Sequence, residues 1–283
     1  MPSSLLSLLL FLRTSTIFSQ SRTLDAPVPW SGRFWARTLC AADHASGHFS
    51  CATGDCGSGS VECSSGGAAP PATLAEFTLG GAGGADFFDV SLVDGSNVPV
   101  LVVPQGGSGG GYPAGGSCAP TGCLVDLNGI FPPDLRVASP GSGGETAACR
   151  SACEAFRTAR YCCSGEYGTP GACGPTEYSQ FFKNACPRAY SYAYDDATST
   201  FTCPTATTSG YAITFCPSTT SLKSTGYGNQ MAGGLPLIND TMSSLLVGST
   251  MSSAAGRWPE GGTPMVRLAV AMTALLLLRH GLP

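Results

Sequence analysis

Two carboxylates stand out because of where they sit in their segments. In Leu74 to Leu79 (LAEFTL), Ala75, Phe77 and Leu79 fall on one side and Glu76 on the other. In Asp86 to Asp94 (DFFDVSLVD), Phe88, Val90 and Leu92 share one face, with Asp89 and Ser91 opposite. Alternation with a period of two is the mark of a half-buried strand. Each segment therefore buries an apolar stripe and turns an acid the other way, as groups lining a groove must. Facing carboxylates accept hydrogen bonds from sugar hydroxyls. As a pair they serve as general acid and as nucleophile or base at a glycosidic bond. Crowding raises the pKa of one of them, which keeps a proton available near neutrality. A plain acidic surface patch fits the same residues equally well.

Other constellations carry less. His44 and His48 lie four apart near Cys51, but Gly47 and its turn-rich surroundings oppose the helix a metal pair would need. No metal site and no cofactor are expected. Gly106 to Gly110 (GGSGG) fits the G-x-S-x-G nucleophile pattern in letters only, since it lies in a glycine-rich loop without strand-to-helix context. Trp30 and Trp35 suit stacking on sugar rings, although core packing is the commoner fate of tryptophan.

The elements that must position these groups are short. Thirty-eight glycines and 21 prolines in 283 residues favour turns and strands over long helices. Asn97 to Pro104 (NVPVLVVP) reads as a further β-branched strand, and Gly/Pro clusters separate the pieces. Thr146 to Arg160 is the best helix candidate, with Cys149, Cys153 and Phe156 at i, i+4 and i+7. The 14 cysteines all lie between Cys40 and Cys216, which bounds the folded body and places it in an oxidising compartment. Only 11% of residues are charged, and the net charge is −4 without a basic block. Nucleic-acid binding is excluded on that count, because phosphates require clustered Lys and Arg. The fold expected is all-β with a small cysteine-rich lobe.

The two ends read differently. Residues 1–20 resemble a secretion leader, with Leu5 to Leu12 as its apolar core, though no Lys or Arg precedes it. Residues 218–255 are rich in Ser, Thr and Gly and read as a linker carrying one glycosylation sequon at Asn239. Small residues at Ser252 to Ala255, a polar spacer, and the apolar run Leu268 to Leu278 follow. That order, across 256–283, is the pattern of a glycosylphosphatidylinositol signal, with Ser253 the candidate attachment residue. The apolar run is too short for a spanning helix of about 20 residues.

The cysteine spacing carries a resemblance. Gly47 to Cys56 (GHFSCATGDC), continuing to Cys63, resembles the signature of the thaumatin-like, pathogenesis-related proteins. WSGRFWART (30–38), TLAEF (73–77), DFFDVSLVDGSNVP (86–99), YCC (161–163), CGPTEYSQFFKNACP (173–187) and YAITFCP (211–217) are similar to further blocks of that family, in its order. The resemblance spans about Ser21 to Pro217. It implies a flattened β-sandwich of the thaumatin type, with a disulfide-rich lobe at 118–186 packed beside a cleft. By family order it also implies the pairs Cys40–Cys51, Cys56–Cys63, Cys118–Cys203, Cys123–Cys186, Cys153–Cys162 and Cys163–Cys173. Cys149 and Cys216 are left as free thiols, since Phe131 stands where the family has one cysteine. The family's first cysteine-bearing strand is replaced here by the leader-like segment.

The resemblance further implies an acidic cleft of Arg33, Glu76, Asp89, Asp94 and Asp195, with Asp196 the alternative to Asp195. The function it implies is binding of cell-wall β-1,3-glucan by a secreted, monomeric plant defence protein, held at the outer membrane face or cell wall by lipid. A second reading is a weak endo-β-1,3-glucanase, with Glu76 as the acid and Asp89 as its partner. A third is an inactive, truncated product of a thaumatin-like gene.

Overall fold

Strand-forming segments separated by glycine and proline turns give the chain its architecture. The structure is a computed structural model describing residues 19–63, 66–106, 118–141, 143–217 and 265–273. The first half holds β1 (Ser19–Pro27), β2 (Trp30–Trp35), β3 (Thr38–Ala42), β4 (Phe49–Thr53), β5 (Leu74–Leu79), β6 (Ala85–Ser91) and β7 (Val100–Gly106). Three short strands follow: β8 (Thr121–Cys123), β9 (Arg136–Ala138) and β10 (Thr146–Cys149). Four helices come next, α1 (Ala152–Phe156), α2 (Ala159–Cys162), α3 (Glu177–Ala185) and α4 (Asp196–Ser199). The last strands are β11 (Phe201–Pro204), β12 (Thr208–Phe215) and β13 (Met265–Thr273).

Two sheets carry the fold, in the orders β1-β13-β12-β7-β8 and β11-β6-β5-β2. The apolar faces of these sheets meet in a common core. Phe34, Phe77 and Phe88 come from the four-stranded sheet and Tyr211, Ile213 and Phe215 from β12, all at most 5% exposed. The Tyr211 ring lies 5.2 Å from Phe77 and 5.0 Å from Phe88, centroid to centroid. Such contacts between large rings supply much of the burial energy that holds two sheets together. The result is an all-β sandwich with few short helices and six disulfides among the described residues.

Those disulfides join Cys40–Cys51, Cys56–Cys63, Cys118–Cys203, Cys123–Cys186, Cys153–Cys162 and Cys163–Cys173, the pairs that the resemblance implies. Cys149 is free and buried, and Cys216 is free and half-buried. Phe131 is 1% exposed, its ring against Phe181 and Phe182, so an aromatic side chain occupies that interior position.

Two expectations need correction. The single helix over Thr146 to Arg160 is instead β10 followed by α1 and α2. The backbone of Cys149 exchanges hydrogen bonds with Ser96 at 2.7 and 2.8 Å, which fixes that stretch as extended. Ser151 then caps α1 by accepting from the Glu154 amide, and Arg157, with φ 54°, ends it. The strand over Asn97 to Pro104 begins only at Val100. Asn97 is withdrawn because its buried amide group donates to the Ala36 carbonyl (2.8 Å) and Thr53 (2.9 Å). Residues 265–273, within the stretch read as spacer and apolar tail, form β13 inside the sheet. Leu5 to Leu12, Ser108, Asn239 and Ser253 lie outside the described residues.

Candidate functional site

The outer face of the four-stranded sheet places three sequence-predicted groups in one row. Arg33 on β2 is in register with Glu76 on β5, and Glu76 with Asp89 on β6. The parity that buries Phe34, Phe77 and Phe88 on the core side sends these three outward. Antiparallel pairing then brings neighbouring side chains within about 5 Å of each other at Cβ. Arg33 approaches Glu76 with N–O 3.9 Å, both side chains partly exposed.

Asp89 is the most constrained member. Its Oδ1 is buried without a hydrogen-bond partner. Burial, the adjacent Glu76 and then Asp196 push its pKa up to about 8, so its carboxyl is protonated at neutrality. Glu76 is also raised, first by burial, with Arg33 pulling down and Asp94 pushing up. The sequence reading made Glu76 the acid; the site makes Asp89 the better proton holder, because it lies deeper and between two other acids.

The last predicted carboxylate divides differently from the expectation. Asp195 is bound by Lys183 at 2.9 Å and accepts from the backbone and hydroxyl of Ser191 at 3.0 and 2.9 Å. Burial opposes its ionisation, yet the bonds from Lys183 and Ser191 outweigh that and hold its pKa below the ordinary value. It ties α3 to the loop before α4. Asp196, its neighbour, faces Asp89 electrostatically and accepts from the Tyr190 hydroxyl at 3.0 Å. Tyr190 is brought there by the sheet itself, since its backbone bonds Val90 and Leu92 along the end of β6. Tyr190 was not predicted, and Asp196 only as an alternative. A Tyr-Asp pair in a turn-rich stretch carries no periodic signal that would have exposed either.

Asp94 sits just past β6, where Gly95 turns the chain with φ +89°. A Cβ on Gly95 would meet the Cys149 carbonyl oxygen at 2.4 Å, so the turn that sets Asp94 requires glycine. Asp94 also borders a cavity of about 210 Å³ walled by Glu154, Arg160 and Tyr161 of the disulfide-rich lobe and by Tyr192. The acidic row thus continues towards a hollow lined by both charged and aromatic side chains. Trp35 stays in the core, 4% exposed, its indole N–H donating to Gly54 at 2.8 Å. Trp30 leans on Phe34 at 5.7 Å and covers Gly32. Among the described residues no three His, Cys, Asp or Glu gather as a metal would require.

A flattened sandwich with six such disulfides and an acidic outer face defines a class of protein that comparison places directly. The chain belongs to the thaumatin family, whose pattern matches residues 15–217. It is 57% identical over 203 residues to thaumatin-like protein 1 of Arabidopsis thaliana, covering 70% of this chain and 72% of that protein. It is 56% identical over 197 residues to pathogenesis-related protein 5 of Arabidopsis thaliana, covering 70% of this chain and 75% of that one. A Prunus avium protein named glucan endo-1,3-beta-glucosidase is 55% identical over 194 residues, covering 69% of this chain and 74% of the relative. The chain is accordingly a thaumatin-like pathogenesis-related protein.

Proposed function

We propose that this protein is secreted and binds β-1,3-glucan of fungal or plant cell walls on the acidic face. The observation that carries the reading is the in-register row Arg33–Glu76–Asp89 across three strands. A neutral carboxyl at Asp89 donates to a sugar oxygen, while the Glu76 carboxylate, partnered by Arg33, accepts from sugar hydroxyls. Asp94, Asp196 and Tyr190 extend the same surface. Six disulfides suit an extracellular protein that works outside reducing compartments.

Weak endo-β-1,3-glucanase activity is the second reading, favoured by the name of the Prunus avium relative. Asp89 would then protonate the leaving glycosidic oxygen as the C1–O bond breaks, and Glu76 would act on the opposite side as nucleophile or base. The test is laminarin binding by calorimetry and release of reducing ends, on wild type, Glu76→Gln and Asp89→Ala. Binding that survives Glu76→Gln within a few-fold, while turnover falls by orders of magnitude, supports the enzyme. Binding with no turnover in any form leaves the lectin-like reading. Binding and turnover unaffected by both substitutions would reduce the face to an acidic patch.

A separate fate of the C-terminus, exclusive of one in which residues 265–273 stay in the sheet, is a lipid-anchored form joined at Ser253, supported by the small-residue cluster Ser252 to Ala255, with a glycan at Asn239 on the linker. Phosphatidylinositol-specific phospholipase C would release such a form from membranes.

A further inference from the structure

The order β1-β13-β12-β7-β8 puts a strand from near the end of the sequence between two strands of the folded body. β13 pairs antiparallel with β1 from Ser19↔Thr273 to Pro27↔Met265. It pairs parallel with β12 from Gly210↔Arg267 to Phe215↔Met272. Both of its edges are therefore engaged, and among the described residues β1 has no other strand neighbour in that sheet. A backbone row of this kind needs a partner, because unpaired N–H and C=O groups at a sheet edge invite another strand.

The sequence of the segment answers that need. Val266, Leu268, Val270 and Met272 alternate with Arg267, Ala269, Ala271 and Thr273. Leu268, Val270 and Met272 come into register with Tyr211, Ile213 and Phe215, the fully buried stripe of β12. A lipid-exchange signal needs an apolar run and no alternation; only a strand needs period two. From Ala274 to Leu278 (ALLLL) the alternation stops. A parallel return needs a connection of at least a dozen residues, and the sequence between Pro217 and Met265 is longer than that.

We propose that the slot between β1 and β12 is a strand-accepting surface whose occupant is Met265–Thr273 of the same chain, kept in the folded protein. Exchange for lipid at Ser253 would remove this strand, so one molecule cannot do both.

The experiment compares full-length wild type with Val270→Pro and Leu276→Pro. Proline inside a central strand removes a ladder hydrogen bond; Leu276 lies beyond β13, yet within the apolar run a lipid signal would use. Val270→Pro should lower the thermal midpoint by about 5–10 °C, and Leu276→Pro should leave it unchanged. Unchanged midpoints for both would overturn the proposal, as would a purified folded protein whose intact mass ends near residue 253. Should Val270→Pro fail to fold, hydrogen exchange on wild type decides. Amides of 266–272 protected as strongly as those of 211–215 support the strand, and exchange at free-peptide rates refutes it. Size-exclusion chromatography should give a monomer; a dimer with exchanged tails would assign the slot to a second copy instead.

Discussion

Strand β6 holds two aspartates on opposite faces, and they solve the problem of a buried acid in opposite ways. Asp86, on the core side, is fully buried yet accepts three bonds, from the Tyr211 hydroxyl (2.9 Å), Thr205 (2.7 Å) and the Gly80 amide (2.8 Å). Asp89, on the outer side, is less buried but has an oxygen with no donor and two acids for neighbours. The first is a joint that ties both sheets to the β5–β6 turn. The second is stored reactivity, because a ligand hydroxyl would give it what the fold withholds. Completeness of partners, more than depth, separates the acid that the fold satisfies from the one it leaves open to a ligand.

Removing the joint should have the largest effect. Asp86→Ala leaves three donors without an acceptor and should cost about 3–5 kcal/mol in urea unfolding, with laminarin affinity of the folded fraction unchanged. An effect on binding as large as that on stability would erase the distinction between the faces.

Asp89→Asn should act in the opposite direction. In the unfolded chain Asp89 ionises near about pH 4, whereas in the fold it stays protonated to about 8. Its contribution is therefore complete below the unfolded value and lost progressively as pH rises through 8. The amide variant should be more stable than wild type at pH 8 by about 1–3 kcal/mol, a figure kept below full linkage because water reaches part of the side chain. At pH 3 the two should coincide. Equal stability at every pH would show that the acid is relaxed by solvent.

Asp195→Asn and Asp196→Asn sharpen the comparison further. The first breaks the Lys183 pair and should cost about 1–2 kcal/mol at pH 7, an effect that fades as pH falls through the depressed pKa of Asp195. The second should leave stability nearly unchanged, lower the pKa of Asp89 in carbon-13 NMR titration, and weaken laminarin binding. The reverse pattern would return Asp195 to the cleft. Arg33→Gln should be the mildest, below about 1 kcal/mol for a solvent-exposed pair, detectable as a further upward shift of Glu76.

What the sequence made legible was whatever follows from period and spacing. Alternation located β5 and β6 and set the parity of Glu76 and Asp89, and the cysteine blocks carried the family resemblance. Tertiary hydrogen bonds are silent in such patterns. The pairing of Cys149 with Ser96 turned a helical stripe into β10, and α3, the longest helix among the described residues, was hidden in a motif read for its cysteines. β13 was missed because its alternation merges with the unbroken leucines after it. Tyr190 and Asp196 reach the site through a loop whose course depends on Lys183 and Asp195, groups distant in sequence from the strands they serve.

The two unpaired cysteines give the molecule an internal clock and its reference. Cys149 is wholly buried in β10, within the lobe, and its thiol is pushed far up by burial. Cys216 directly follows β12, where its amide donates to the Pro99 carbonyl; it is only half-buried, with its thiol raised to about 11, chiefly by burial. Cys149 does not react until its surroundings open, so the rate at which it takes up an alkylating label measures how often the lobe opens. Cys216, partly open to solvent, is labelled without such an opening and sets the reference rate. A single labelling course, read by mass at both positions, would time the opening of the lobe without any mutation.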